Sequence, residues 1–558
     1  MEKIWKSQNL MRNERGMVLV IVLWIMAILI MIGTTNVIIA TTDLKISSNY
    51  KLGTQAFYAS ESGAEYGYLK LRDILRVLYP TINISAPTIN GYTFDEFNIA
   101  TVGNQQVEVM TGTYTGLTAF VTKYLLSSRA HVNGTSASAR VDLLVKDNLI
   151  PIFQFGIFYQ NDLEILPGAN MTFTGGRIHS NNSIYLNADA GTFSIDSRVT
   201  SADEIIHGHK DTRSYSVGTV QIKDSTNTYQ SMTIDSNSAN WAMESQTTWD
   251  GNVKNEDHGI IPLNVPTTSG NPRDITGTGA DSLYLKAGLR IVDGVAKDAN
   301  GNTVNIRYYD PNYKNADGTL KIDAGGTAAL NVNPLSTTSF TDKRENKVVT
   351  VTEVNLSKLQ NSTTAMNALN NPPSGADPGI LYVNQTDNSK SVRLTDGASI
   401  PSTGLTVVSN NAVYIKGDYN TTNNPAAIMG DAISVLSNSW DDANSNSADL
   451  SPRVASNTTI NAAFMGGNVE TTSSHYSGGA ENYMRLLENW SGKTLTYSGS
   501  LVNLWTSQQA TGIWQYGSPV YTAPTRNWSY GIDPAHLPPG TPRVRSVDKY
   551  AWQHYLYD

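Results

Sequence analysis

From Met17 to Ala40 the chain reads MVLVIVLWIMAILIMIGTTNVIIA, 24 residues without one charged side chain. As a helix, such a run spans about 36 Å, enough to cross the hydrocarbon core of a bilayer. The residues before it, MEKIWKSQNLMRNERG, carry Lys3, Lys6, Arg12 and Arg15 against Glu2 and Glu14. That excess of basic residues sets the leader on the cytoplasmic side and everything after Ala40 outside. A cleavable secretory signal would have a shorter apolar stretch and then a small-x-small site. Here Thr34, Thr35 and Asn36 are followed by further apolar residues.

The helical pattern does not stop at the membrane. No proline interrupts Thr41 to Leu78, and Pro80 closes the segment. Phe57, Ala64, Tyr68, Leu71, Leu75 and Leu78 recur at helical spacing and predict one apolar stripe along an amphipathic helix. Gly53, Gly63 and Gly67 fall within it and predict a bend or a looser turn, because glycine weakens a helix interior. Residues 17–79 are therefore expected to form one rod, apolar at its start and amphipathic after.

With the leader ending in glycine, ERGMVLVIVLWIMAILIMIG followed by QAFYASESGAEYGYLKL resembles the N-terminal region of PilX-type minor pilins. It is also similar to the GspK-like tip pseudopilin of type II secretion. The resemblance implies that residues 1–16 are a leader removed by a prepilin peptidase after Gly16, and that the new terminus, Met17, is methylated. It also implies the other minor and major pilins as partners, with the inner membrane as first location and an extracellular filament or its tip as the last. Major pilins carry a glutamate at the fifth mature position, answering the buried terminal amine of a neighbouring subunit; here that position is Ile21. A buried charge without a partner is costly, so the resemblance implies a tip or initiating position rather than repeated stacking. Ile21, Leu23 and Ile28 are the positions expected to pack within the filament.

The rest of the 558 residues must fold outside the membrane. Charged residues make up only 16% while there are 44 glycines and 28 tyrosines, a mixture suited to short strands with tight corners. Removing residues 1–16 takes the formal charge from −8 to −10, which does not suit nucleic acid. With no cysteine, disulfides, thiolate catalysis and cysteine-ligated metals are excluded. VEVMTGTY, AFVTKYLLSS and ASARVDLLVKD alternate like neighbouring antiparallel strands, giving a small pilin-like sheet over residues 80–150. Residues 151–558 are expected to form a large extracellular β-rich body with an inserted module near 200–400. Within it, HSNNSIYLNAD from His179 and VSNNAVYIKGD from Val408 form a partial repeat, with Val408 in the His179 slot. Strands this short with Asn/Gly corners suit solenoid-like rungs, with an irregular β-sandwich as the alternative. SFTDKRENKVVTVTEVNLSKL predicts a strand leading into a short helix, and ENYMRLLENW predicts a helix through Met484, Leu487 and Trp490. Trp490, Trp505, Trp514, Trp528 and Trp552 are expected to cap the open end of the β core, or, if exposed, to offer a sugar or partner surface. The fold class is thus α+β and mostly β: a long N-terminal pilin-type helix, a small antiparallel sheet, then the β-rich body.

No phosphate-binding loop, zinc-protease motif or nucleophile elbow occurs, and no enzymatic role is expected. His207 and His209 read as a solvated loop. The acidic pairs Asp203–Glu204 and Asp441–Asp442 are adjacent in sequence, so on a strand each pair would point to opposite faces. Asp442, Asn444 and Asn446 present oxygen ligands at alternate positions and form a candidate Ca2+ site. A weaker array, Asp298, Asn300 and Asn302, reads more simply as a turn around Asn300–Gly301. The leading function is a minor pilin-like structural subunit that primes assembly of a type IV pilus-type filament or occupies its tip. The alternative is a tip adhesin that binds a surface, glycan or partner protein through the β-rich body.

Overall fold

The computed structural model describes residues 14–76, 80–212, 217–267, 271–322, 326 and 329–557. The leader up to residue 13 and Leu78 lie outside the described residues. Helix α1 runs unbroken from Glu14 to Ile74, about 91 Å at the usual rise. Residues 16–51 are exposed throughout, and burial begins at Ala56.

The far third of α1 packs on a four-stranded antiparallel sheet. Three of its strands are β1 (Tyr92–Val109), β2 (Thr118–Val132) and β3 (Ser138–Pro151). The fourth is the C-terminal strand Arg543–Tyr557, which pairs along β3 from Ser138↔Tyr557 to Pro151↔Arg543. Local alternation reveals the first three strands. It cannot show that Arg543–Tyr557 returns to complete the sheet, because that pairing spans about four hundred residues.

Beyond Pro151 the chain forms parallel coils. β4 (Phe155–Tyr159), β5 (Leu163–Ile165) and β6 (Met171–Phe173) make one rung. β7 (Arg177–Ser180), β8 (Ile184–Leu186) and β9 (Thr192–Ile195) make the next, and β10 (Val199–Ser201), β11 (Ile205–His207) and β12 (Thr219–Lys223) a third. Each pairs in parallel with its counterpart one rung on: β4–β7–β10, β5–β8–β11 and β6–β9–β12. Successive rungs thus stack in parallel, whereas a sandwich would pack two largely antiparallel sheets face to face. Ile157, Leu163, Phe173, Ile178, Leu186 and Phe193 point into one core cluster.

The order of stacking could not be read from the sequence. After β12 the chain crosses to the far end, begins again at Ala287–Val292, and coils back through Asp377–Asn384, Leu405–Val408, Ala426–Met429, Ala463–Asn468 and Leu501–Thr506. Its final coil docks on the first: Leu501 pairs with Ile157, Val502 with Phe158 and Asn503 with Tyr159. One eleven-stranded sheet results, and the sheet that holds α1 joins it at the middle rungs. The stretch 200–400, expected as an inserted module, instead supplies Ala287–Val292, Asp377–Asn384 and Lys390–Thr395 to the shared stack.

Both copies of the partial repeat occupy the same corner. Ser180 Oγ accepts from the N–H of Asn182 at 3.1 Å, and Ser409 Oγ from that of Asn411 at 3.0 Å. In the first copy Ser180 and Ser201 are register partners, and each donates to a carbonyl one rung back, of Asn161 and Asn182. Such bonds satisfy corner backbone that water cannot reach.

Two expectations are corrected. ENYMRLLENW is not a helix: Ala480–Asn482 is a single 3-10 turn, and Met484–Leu486 is a strand paired with Ile433–Leu436. A short apolar run fits either period, and here the neighbouring rung decides. The C-terminal tryptophans do not cap the stack. Trp490 and Trp528 are inside the main cluster, Trp505 is buried in a second cluster, and Trp552 lies exposed on the strand Arg543–Tyr557. One end is covered by the helix Trp241–Trp249, which lays Trp241 and Trp249 on the core. The other is covered by the hairpin Ala287–Asp298 and the helices Leu356–Gln360 and Thr363–Asn370. The first of those helices follows the strand Lys347–Asn355, as expected.

Candidate functional site: the N-terminal helix and its docking on the sheet

Every candidate packing residue lies on the exposed part of α1. Met17, Ile21, Leu23 and Ile28 are roughly half to two-thirds exposed, and Gly16 has open space around it. Hydroxyls within and just after the apolar run are satisfied by the helix itself. Thr34 donates to Ile30 O, Thr35 to Met31 O, Thr41 to Val37 O and Thr42 to Ile38 O. That back-bonding lets a threonine sit in an apolar medium without an unpaired donor. The helix is long and apolar enough to cross a membrane, and none of its most apolar stretch is buried in the body.

The docked third of α1 is held differently from the expectation. Ala64, Leu71 and Leu75 are buried, with Phe57 and Tyr68 packed at the border. The centre of the face, however, is made of small residues: Ala56, Ala59, Ser60, Gly63 and Gly67. A Cβ added at Gly63 would sit 2.4 Å from both Phe94 Cε1 and Ser128 Oγ, and one at Gly67 would sit 2.5 Å from Leu126 Cδ1. These glycines do not loosen the helix; they let its backbone approach the sheet. Gly53, with nothing within 4 Å of its would-be Cβ, has no such role. Ser60 uses the closeness: its Oγ donates to Ala139 O at 2.7 Å and accepts from the N–H of Ala130 at 2.9 Å, joining β2 to β3 through the helix.

Arg545 closes the far end of the helix. Its guanidinium donates to Leu75 O, an orphan carbonyl of the last turn, and its Nε lies 2.8 Å from Asp147 Oδ1. Burial pushes the Asp147 carboxyl up to about 6 despite the opposing pull of Arg545. The backbone of Arg545 also exchanges hydrogen bonds with Asn264 of the body. One residue therefore ties helix, sheet and body together.

The residues of the calcium candidate are engaged by neighbouring side chains. Asp442 Oδ1 is 2.6 Å from Arg393 Nη1 and accepts from Trp440 Nε1 at 2.8 Å, while Oδ2 accepts from Arg393 Nη2 and Thr338 Oγ1, both at 3.0 Å. Asn446 Oδ1 accepts from Lys343 Nζ, and Asn444 Nδ2 donates to Asp441 Oδ2. The side-chain oxygens of Asp442 and Asn446 are taken by cationic and polar side chains, because the hairpin Leu335–Asn355 and the strand Lys390–Thr395 fold against this loop. Among the described residues no group of three or more His, Asp or Glu is placed to hold a metal ion. Asp298 accepts from the N–H groups of Asn300 and Asn302, which is the simple turn. His209 turns to Asp189, with Nε2 3.2 Å from Oδ1.

A membrane-length helix whose inner part docks through small residues on an antiparallel sheet is the architecture of a pilin-like subunit. The N-terminal part of this chain is similar to PilX: residues 15–65 match the family model described as PilX N-terminal. The family model is that of PilX and lends nothing to the likeness with GspK. No curated protein matches the chain. Among solved structures, the crystal structure of the competence-associated pilin ComZ from Thermus thermophilus aligns over 91% of this chain and 98% of its own, with 13% identity and a TM-score of 0.27. At that score the overlap carries no argument about the body.

Proposed function

We propose that the protein is a minor pilin-like structural, non-catalytic subunit that primes a type IV pilus-type filament or occupies its tip. The observation that carries this reading is the division of α1. Residues 16–51 stand free of the body and include an uncharged apolar run, while Ala56 to Leu75 are welded to the sheet. The free part must find its packing partners in a bilayer and then among other helices. Processing after Gly16 would leave Met17 as terminus and Ile21 fifth from it. A subunit without a carboxylate there offers nothing to the amine of the next arrival, whereas a first-added subunit need answer none. The body favours the same place. Its coils extend to both sides of the rungs that join the small sheet, a bulk hard to repeat at a close axial rise.

The test is to sequence the mature N-terminus and image sheared filaments carrying a labelled body. A terminus at Met17 and label confined to one filament end are expected. A retained Met1, cleavage beyond Ala40, or uniform decoration along the shaft would refute the reading. Ile21→Glu should reduce assembly only mildly, whereas Leu23→Glu or Ile28→Glu should block it, because those place a charge in the apolar seam.

A further inference from the structure

The body carries an open groove of about 990 Å³ between the first rungs and the C-terminal loops. Its wall is a cluster of four aromatic rings. Trp514 and Tyr516 are near-parallel, 17° apart with centroids separated by 6.3 Å. Tyr476 stands edge-on to Trp514, and Tyr521 edge-on to Tyr516.

The cluster is rigid before any ligand arrives. Trp514 Nε1 donates to Tyr521 Oη at 3.0 Å, and Tyr521 Oη donates to Asn482 Oδ1 at 2.6 Å. Gly478, at a positive φ of 92°, lies so close beneath Trp514 that a Cβ there would fall 2.3 Å from its Cδ1. Any side chain at residue 478 would displace the ring. Tyr516 needs no such burial for stability, being 59% exposed. A large ring left facing solvent beside a fixed indole is a flat apolar surface with polar groups at its rim.

Those polar groups lean acidic. Asp189 and Asp211 line the groove with Arg526 and His209, while Glu481 is buried, its Oε2 accepting from the N–H of Leu166. Arg526 is already committed, Nε to Glu481 O and Nη2 to Asn482 Oδ1, and His209 faces Asp189. Among the described residues an anionic ligand would therefore meet carboxylates and no uncommitted cation. A second open groove, about 860 Å³ and lined by residues such as Asn305, Thr350 and Thr352, has no aromatic ring among its described lining residues to stack on.

We propose that the groove at Trp514 and Tyr516 binds a neutral oligosaccharide, its sugar faces stacked on the two rings and its hydroxyls met by the rim carboxylates. Pre-fixed rings reduce the ordering cost of binding, and the volume is at the upper end of the usual range for ligand clefts. The inference does not rest on the filament position proposed above. It gives the body a recognition role wherever the subunit sits.

The experiment is titration calorimetry of the full chain in a detergent without sugar headgroups, with cellotetraose, chitotetraose and maltotetraose as neutral probes and tetragalacturonate as the acidic one. At least one neutral probe should bind saturably and tetragalacturonate should not. Tyr516→Ala should weaken that binding by about tenfold or more. Trp552→Ala, which removes an aromatic of similar exposure (58%) on the distant sheet, should leave it unchanged. No saturable binding by any neutral probe, unaltered affinity in Tyr516→Ala, or preference for tetragalacturonate would overturn the proposal.

Discussion

Replacing Gly67 by alanine sets helix propensity against packing. In a free helix the change gains about 1 kcal/mol. Here the new methyl would lie 2.5 Å from Leu126 Cδ1 and 3.1 Å from Phe97 Cζ, and Leu126 is fully buried with nowhere to withdraw. Overpacking of this kind costs about 1–3 kcal/mol. Taking the middle of that range, the net is a loss of about 1 kcal/mol, or roughly a fivefold rise in the opening equilibrium of the docked segment. At Gly53 a Cβ meets nothing within 4 Å, so the same substitution should keep the propensity gain. Hydrogen–deuterium exchange of the full chain in detergent reads both. Gly67→Ala should speed exchange over Ala56 to Leu75, while Gly53→Ala should slow it around residue 53. If Gly67→Ala slows exchange as Gly53→Ala does, the glycine is not there for close approach, and the account of the docked face is wrong.

Arg545→Ala leaves Asp147 buried without its cation and frees Leu75 O, which should cost about 3–5 kcal/mol and release the end of α1 to protease before the body unfolds. Glu481 and Glu488 are both pushed up to about 7 by burial, so between roughly pH 7 and the ordinary glutamate range the native state binds protons that the unfolded chain does not, and both contributions grow as pH falls. His179, held down to about 4 by burial, acts with opposite sign; the readout is therefore the difference in melting temperature between wild type and Glu481→Gln, which should move in favour of wild type on acidification from pH 7 to 4.5 and would contradict this reasoning if it stayed flat. Because Arg393 and Lys343 hold the Asp442 loop, millimolar calcium or chelator should leave the melting temperature unchanged, and a calcium-dependent rise would restore that loop as a site.

The pilin-like half was largely legible because its signals are local. An uncharged run from Met17 to Ala40, the absence of proline up to Leu78, and the alternation within β1, β2 and β3 each arise from neighbours in the chain. The Ser-Asn-Asn repeat was legible for a similar reason, since each corner closes on itself. Glycine was misread: Gly63 and Gly67 score as weak helix formers in isolation, and only the sheet opposite turns their lack of a side chain into a fit. The same limit hid the groove: Trp514 was one of five tryptophans that could cap the core or offer a sugar or partner surface, and only the fold shows Tyr521 and Gly478 fixing its indole beside Tyr516.

By itself the sequence determined that a membrane-length helix leads into a β-rich body, because hydropathy and periodicity are properties of consecutive residues. Tertiary structure alone decided that Arg543–Tyr557 completes the small sheet, that the coil at Leu501 docks on the one at Ile157, and that Asp442 meets Arg393. Each of these joins residues tens to hundreds of positions apart. Strand pairing and ion pairing at such separations depend on which surfaces meet after collapse, and no local pattern of residue types records which partner will be there.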